Sequence, residues 1–232
     1  MNFPEGYVIN VDKPYKWTST DVVRKIKFLL QRLGHKKIKI GHAGTLDPLA
    51  TGVLLICIGK ATKTVEKLQA QSKEYITEIV FGGTTPSFDL EHEVDETFPY
   101  EHITREALEQ ALEKLTGERL QTPPIYSAKR LEGKRAYELA REGKEVKVRE
   151  ALITVYSMEI LDFALPKVTL KISCSKGTYI RSIAKELGDL LNSGAHLGSL
   201  RRTQSGDFRA EEGMQMEEII KILELNETKS IL

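Results

Sequence analysis

The chain has little of what marks a specialised class of protein. It holds 2 cysteines in 232 residues, Cys57 and Cys174, too few for a disulfide framework or for a metal site of their own. Both sit in apolar, strand-like runs and read as buried, reduced thiols. No apolar run approaches the roughly 18 residues of a membrane span. The opening MNFPEGYVINVDKP has no basic stretch followed by a long apolar core, so it does not read as a secretory signal. Repeats and low-complexity linkers are also missing. A charge excess is lacking too: Lys+Arg is 34 against Asp+Glu 33, a net +1, whereas nucleic-acid binders usually show a basic surplus. What remains, 41% hydrophobic and 29% charged, is the composition of a soluble globule. A cytoplasmic location is expected.

The near-zero charge hides a segregation. Residues 1–69 carry 12 basic and 5 acidic side chains, a local +7. Residues 70–118 are −9, 119–150 are +4, 151–209 are +3 and 210–232 are −4. If the fold gathers the basic segments they make a field of their own. If not, they are solvated helix faces with local ion pairs.

Periodicity outlines the elements. Tyr7–Val11 reads as a strand. Thr18 and Asp21 have the spacing of a helix capping box, followed by Val22, Val23, Ile26, Leu29, Leu30 and Leu33 at helical spacing up to Gly34. GHAGTLDPLATG at 41–52 is a glycine-rich loop, and Val53–Ile58 a buried strand. A helical stretch at 62–70 and an alternating strand at 74–81 follow, with Tyr75, Thr77, Ile79 and Phe81 on one face. Thr104 caps a helix through Leu115. Two strands, 152–163 and 168–174, precede a helix at 178–191. A strand around 203–208 and a helix around 216–225 close the chain. Without a regular βαβ rhythm, the class is α+β: a mixed, mainly antiparallel central sheet flanked by helices. The basic segment 119–150 reads as an excursion from this core.

Three places could carry chemistry. Asp47 is one carboxylate on a glycine-rich turn ahead of a buried strand, a rigid support for a reactive group. Asp-Pro is also a common turn pair, and spacing does not separate the two readings. The loop lacks the Lys-Ser/Thr ending of a Walker phosphate loop, and His42 has no nearby ligand partner for a metal. Arg181 follows Lys176-Gly177-Thr178-Tyr179 into a helix, where a surface arginine is the plain alternative. Tyr75 heads a strand, where core packing competes with stacking on an extruded base.

GHAGTLDPLATGVLLICIGKATK at 41–63 resembles the signature of the TruB-type tRNA pseudouridine synthases. The resemblance continues through VDKPYKWTST at 11–20, Lys73-Glu74-Tyr75, PPIYSAKRLEGKRAYELAREG at 123–143, CSKGTYIRSIAKELG at 174–188 and GAHLGSLRRTQSG at 194–206. It implies the pseudouridine synthase fold over 1–210, with a thumb-like RNA-clamping insertion at 119–150. It also implies isomerisation of uridine at position 55 in the tRNA T loop, without cofactor or metal. Asp47 matches the catalytic aspartate, Tyr75 the aromatic lying against the flipped base, and Arg181 the arginine that pairs with the catalytic carboxylate. His42, Gly44, Leu200, Arg201 and Arg202 match residues around the flipped-out nucleotides, and Lys176, Tyr179 and Lys129 are further candidate RNA contacts. tRNA is the implied partner, read largely by shape. A stand-alone monomer is expected, with no guide RNA, obligatory protein partner or membrane.

The residue types suit that chemistry. Breaking the C1′–N1 bond develops positive charge on the sugar or needs a covalent partner, and one ionised carboxylate supplies either. An arginine beside it favours ionisation and fixes its direction. A ring compensates for the stacking lost on flipping. Attack on the sugar, attack on the base and elimination all remain open. Two departures stand out. TTPSFDLEHE at 84–93 keeps Asp89 but lacks the family's Asp-rich, Gly-ending form. Residues 211–232 read as a short acidic helical tail in place of the usual C-terminal RNA-binding (PUA-like) domain. A tRNA-binding or folding protein is the competing class, and a nucleoside hydrolase a third, which would need a second carboxylate.

Overall fold

The computed structural model describes residues 3–125, 130–131, 134–135 and 149–230. It divides into two compact units, Met1–Tyr75 with Arg201–Leu232, and Ile76–Leu200. Most of the 119–150 excursion, Lys129 included, lies outside the described residues.

The first unit is built on β3 (Ala50–Ile58), whose residues Val53 to Ile58 are all fully buried. β1 (Tyr7–Lys13) runs antiparallel to it, Val11 opposite Leu54 and Lys13 opposite Gly52. β2 (Ile40–His42) is also antiparallel, His42 opposite Ile56. α1 (Ser19–Arg32) starts where the pattern predicts. Asp21 N–H donates to Thr18 Oγ1 at 3.0 Å and Thr18 N–H to Asp21 Oδ2 at 2.9 Å, closing the capping box. Its stripe of Val22, Ile26, Leu29 and Leu30 is buried, each side chain worth about 1.5–3 kcal/mol on leaving water. α2 (Val65–Ala70) follows a 3-10 turn and is tied down by buried Lys73, whose Nζ donates to Gln69 O and Gln71 O at 2.7 and 2.6 Å. Cys57 is a free, buried thiol that burial pushes up from its usual pKa.

β4 (Lys73–Phe81) alternates as expected, with Lys73, Tyr75, Thr77, Ile79 and Phe81 buried. In the second unit, the short strands β5 (Gly83–Thr84) and β6 (Glu96–Thr97) pair within residues 82–100, whose sequence is polar and acidic. α3 (Arg105–Leu115) buries Leu108, Ala111, Leu112 and Leu115. β7 (Gly117–Gln121) follows, and two two-residue strands, β8 (Arg130–Leu131) and β9 (Lys134–Arg135), pair antiparallel. β10 (Ala151–Ala164) and β11 (Lys167–Cys174) form an antiparallel hairpin, and β10 also pairs antiparallel with β7. α4 (Ile180–Leu190) buries Ile183, Ala184 and Leu187.

β12 (Ala195–Ser205) begins eight residues earlier than its alternation predicts. Gly198 and a run of small and basic residues mask its period. The strand order in the second unit is β12–β4–β11–β10–β7. The first unit adds β13 (Phe208–Arg209), antiparallel to β12, and α5 (Met216–Ser230), which buries Met216, Ile219 and Leu223 and packs on α1. The class is therefore α+β with a mainly antiparallel sheet.

Candidate active site

The glycine-rich loop is shorter than its sequence suggests, because β2 and β3 claim its two ends. Between them the chain turns through residues 43–49, and several backbone groups on either side of Asp47 are held. Leu46 N–H donates to Ser19 Oγ at 2.9 Å, and Ser19 Oγ–H returns to Leu46 O at 3.1 Å, both groups buried. Ala50 N–H donates to Asp47 O at 3.1 Å. Pro48 O accepts from Lys16 N–H at 2.9 Å and from Lys13 Nζ at 3.2 Å.

The other side of the loop is held by Arg202 on β12. Its Nε donates to Val53 O at 2.7 Å, Nη2 to Gly44 O at 3.1 Å and Nη1 to Thr45 O at 3.4 Å. The guanidinium, 2% exposed, directs its donors to loop carbonyls. Gly44 has φ +105°, a left-handed conformation that strains a side-chain-bearing residue. At Gly52, φ is +96° and an added Cβ would lie 2.2 Å from Arg202 O, so β3 and β12 approach where only glycine fits.

Two further charges organise the corner. Lys13 is fully buried, and its Nζ also donates to Pro14 O and Trp17 O at 2.9 and 2.5 Å. Burial pushes its pKa down to about 8. The Asp47 carboxylate opposes that shift and Arg202 adds to it. Arg201 makes a two-pronged pair with Asp12, at 3.0 and 2.8 Å. Asp12 also accepts from Gly52 N–H at 3.1 Å and from Gln215 Nε2 at 3.1 Å. Asp47 itself is half-buried, as is His42, while Tyr75 is buried at 8% exposure. The corner thus offers one carboxylate on a backbone fixed on both sides, the preorganisation that a reacting group needs.

In the second unit Arg181 lies in the first turn of α4, 3% exposed rather than on the surface. Its Nη1 donates to Ser87 O at 3.2 Å and lies 3.6 Å from Asp89 Oδ2. Asp89 is in turn oriented by Ser87 Oγ–H at 2.6 Å and Glu91 N–H at 3.0 Å. Tyr179 caps the helix, its N–H and carbonyl both bonded to the Gln121 side chain. Lys176 is exposed and Leu200 half-buried.

Residues 31–180 match the model of the TruB family pseudouridylate synthase N-terminal domain, and 181–231 match the tRNA pseudouridylate synthase B C-terminal domain. A protein of Phocaeicola vulgatus named tRNA pseudouridine synthase B is 51% identical over all of this chain and 99% of its own length. One of Parabacteroides distasonis with the same name is 49% identical over 99% of this chain and 98% of its own. The chain belongs to the TruB family of pseudouridylate synthases. Among solved structures, one of a Cbf5–Nop10–Gar1 complex matches with TM-score 0.72 and 31% identity, over 95% of this chain. An H/ACA ribonucleoprotein bound to a substrate RNA matches with TM-score 0.71 and 28% identity, over 99% of this chain. The chain spans 55% and 57% of those two chains.

This TruB-family chain is an isomerase with the pseudouridine synthase fold. Around Asp47, the sequence points to Gly44, Arg201 and Arg202 but not to Lys13, Ser19 or Asp12. A lysine at the buried end of a strand, directly before a proline, is the signal that could have found Lys13. Ser19 reads only as a helix-start residue.

Proposed function

We propose that this chain converts uridine to pseudouridine at position 55 in the T loop of tRNA. What carries the reading is that relatives named tRNA pseudouridine synthase B match the chain over its whole length, across the segment holding Asp47. The C1′–N1 bond breaks, the uracil turns, and a C1′–C5 bond forms. N1 ends protonated and the hydrogen on C5 leaves as a proton. Atoms and electrons balance without water, oxidant or cofactor. Asp47 supplies the negative charge this path needs, as nucleophile or as partner to a cationic sugar. Its fixed backbone sets where that charge sits. Tyr75 is assigned to the face of the flipped base and Arg181 to the reaction on the family resemblance.

Charge supports an RNA substrate. A concavity of about 640 Å³ in the first unit is lined by His35, Lys36, Lys37, Lys39, Lys60 and Lys63, a surface suited to a phosphate backbone. We further assign a monomer acting in the cytoplasm without guide RNA or obligatory protein partner. Among the described residues no helix is long and apolar enough to cross a membrane.

The test uses unmodified tRNA and maps pseudouridine by chemical labelling and primer extension. The wild type should modify position 55, and Asp47→Asn should bind tRNA but form no product. A wild type that binds without product would leave only a tRNA-binding or folding role. An active Asp47→Asn would remove Asp47 from the reaction.

A further inference from the structure

A second concave surface lies beside the Asp47 corner, in the turn between β1 and α1. It encloses about 340 Å³ and is lined by Lys16, Trp17, Asp21, Arg24 and Lys25. Tyr15 flanks it, 53% exposed, with the Lys16 ammonium 5.7 Å from its ring centre. Asp21 is occupied by the capping box, where the Thr18 hydroxyl and N–H hold its carboxyl below its usual range. Arg24 lies 3.9 Å from the same carboxylate. Three cations against one carboxylate leave the surface net positive.

Two observations tie this surface to the reacting corner. Lys16 N–H and Lys13 Nζ both bond to Pro48 O, the residue after Asp47, and Lys13 also holds Trp17 O. Lys16 adopts φ +66°, a left-handed conformation that a lysine enters at a cost and glycine enters freely. A lysine kept where glycine would be easier points to a use for its side chain.

We propose that Tyr15, Lys16, Trp17, Arg24 and Lys25 form a platform for the RNA strand flanking the reacting nucleotide. The cations sit against phosphates and the Trp17 ring stacks on a neighbouring base. Such a pairing of ring and cations is tolerant of sequence, which suits a strand held for position rather than read. The inference rests on the tRNA reading above and deepens it.

Filter binding of unmodified tRNA across a salt series, with single-turnover rates, tests it. Lys16→Gly relieves the left-handed strain, so its melting temperature should equal or exceed that of wild type. Its tRNA affinity should fall about five- to tenfold at physiological salt. The slope of log K against log[salt] should drop by about 1, because one phosphate is no longer neutralised by the protein. Lys16→Arg should restore both. Trp17→Leu should weaken binding about tenfold at unchanged slope, with Trp17→Phe recovering most of it. A Lys16→Gly protein with wild-type affinity and slope overturns the platform while leaving the tRNA reading intact. A wild type that neither binds nor modifies tRNA overturns both.

Discussion

Replacing Arg202 by methionine tests whether one buried guanidinium builds the Asp47 corner. The substitution keeps most of the apolar stem and removes donors to Val53, Gly44 and Thr45 at 2.7, 3.1 and 3.4 Å. A hydrogen bond from a charged donor contributes about 1.5–3 kcal/mol, and the longest of the three far less. Partial offset by the more easily buried methionine leaves a loss of about 3 kcal/mol. For a chain of this length that lowers Tm by about 6–12 °C. Turnover should fall further than folding alone explains, since a displacement near 1 Å at a reacting group costs about a hundredfold. The assay is thermal unfolding, followed by single-turnover pseudouridine formation well below the variant's Tm. Arg202→Lys should sit between the two, keeping the charge but losing the fork. A methionine variant melting within about 2 °C of wild type, or turning over at the wild-type rate, would refute the scaffolding role.

Other perturbations have equally definite outcomes. Gly52→Ala drives a methyl to 2.2 Å from Arg202 O and forces a left-handed alanine; a loss of about 3 kcal/mol or more is expected in denaturant titrations. Asp89→Asn removes a counter-charge from buried Arg181 and should cost about 2–3 kcal/mol, with Asp89→Glu recovering part of it. Lys13 carries a folded pKa near 8 against about 10.4 when unfolded. Between those values the unfolded chain binds more protons, so wild-type stability relative to Lys13→Met should rise from about pH 8 to about pH 10. A flat difference across that window would show that Lys13 keeps its proton.

Local signals reproduced most elements because local chemistry makes them. The Thr18–Asp21 box, the stripe of α1 and the period-two alternation of β4 and β11 each depend on neighbours a few residues away. What escaped depends on distant partners. Ala50 and Thr51 read as loop, yet β3 runs through them, two residues beyond the end of its pairing with β1 at Gly52. Arg201 and Arg202 read alike as a basic pair, while pairing with Asp12 and burial on loop carbonyls give them different work. Asp47 was legible as a candidate from its turn, but the bonds that fix it come from Lys13, Ser19 and Arg202, far away in sequence. For Arg181 the local sequence leaves a surface arginine and a carboxylate partner both open, and its burial beside Asp89 and Ser87 comes from contacts more than 90 residues away.

The Asp12 carboxylate has a consequence for how the chain is made. It joins Arg201 and Gln215, partners 189 and 203 residues further along, and the unit they close is assembled from the segments on either side of Ile76–Leu200. The intervening Ile76–Leu200 is contiguous and leaves the ribosome whole before Arg201 has emerged. During synthesis Lys13 and Ser19 emerge ahead of the Asp47 loop but Arg202 does not, so the scaffold of the carboxylate is complete only after Arg202 has emerged. Ribosome-stalled chains ending before Arg201 should expose the 43–49 loop to protease, and chains extended through α5 should protect it.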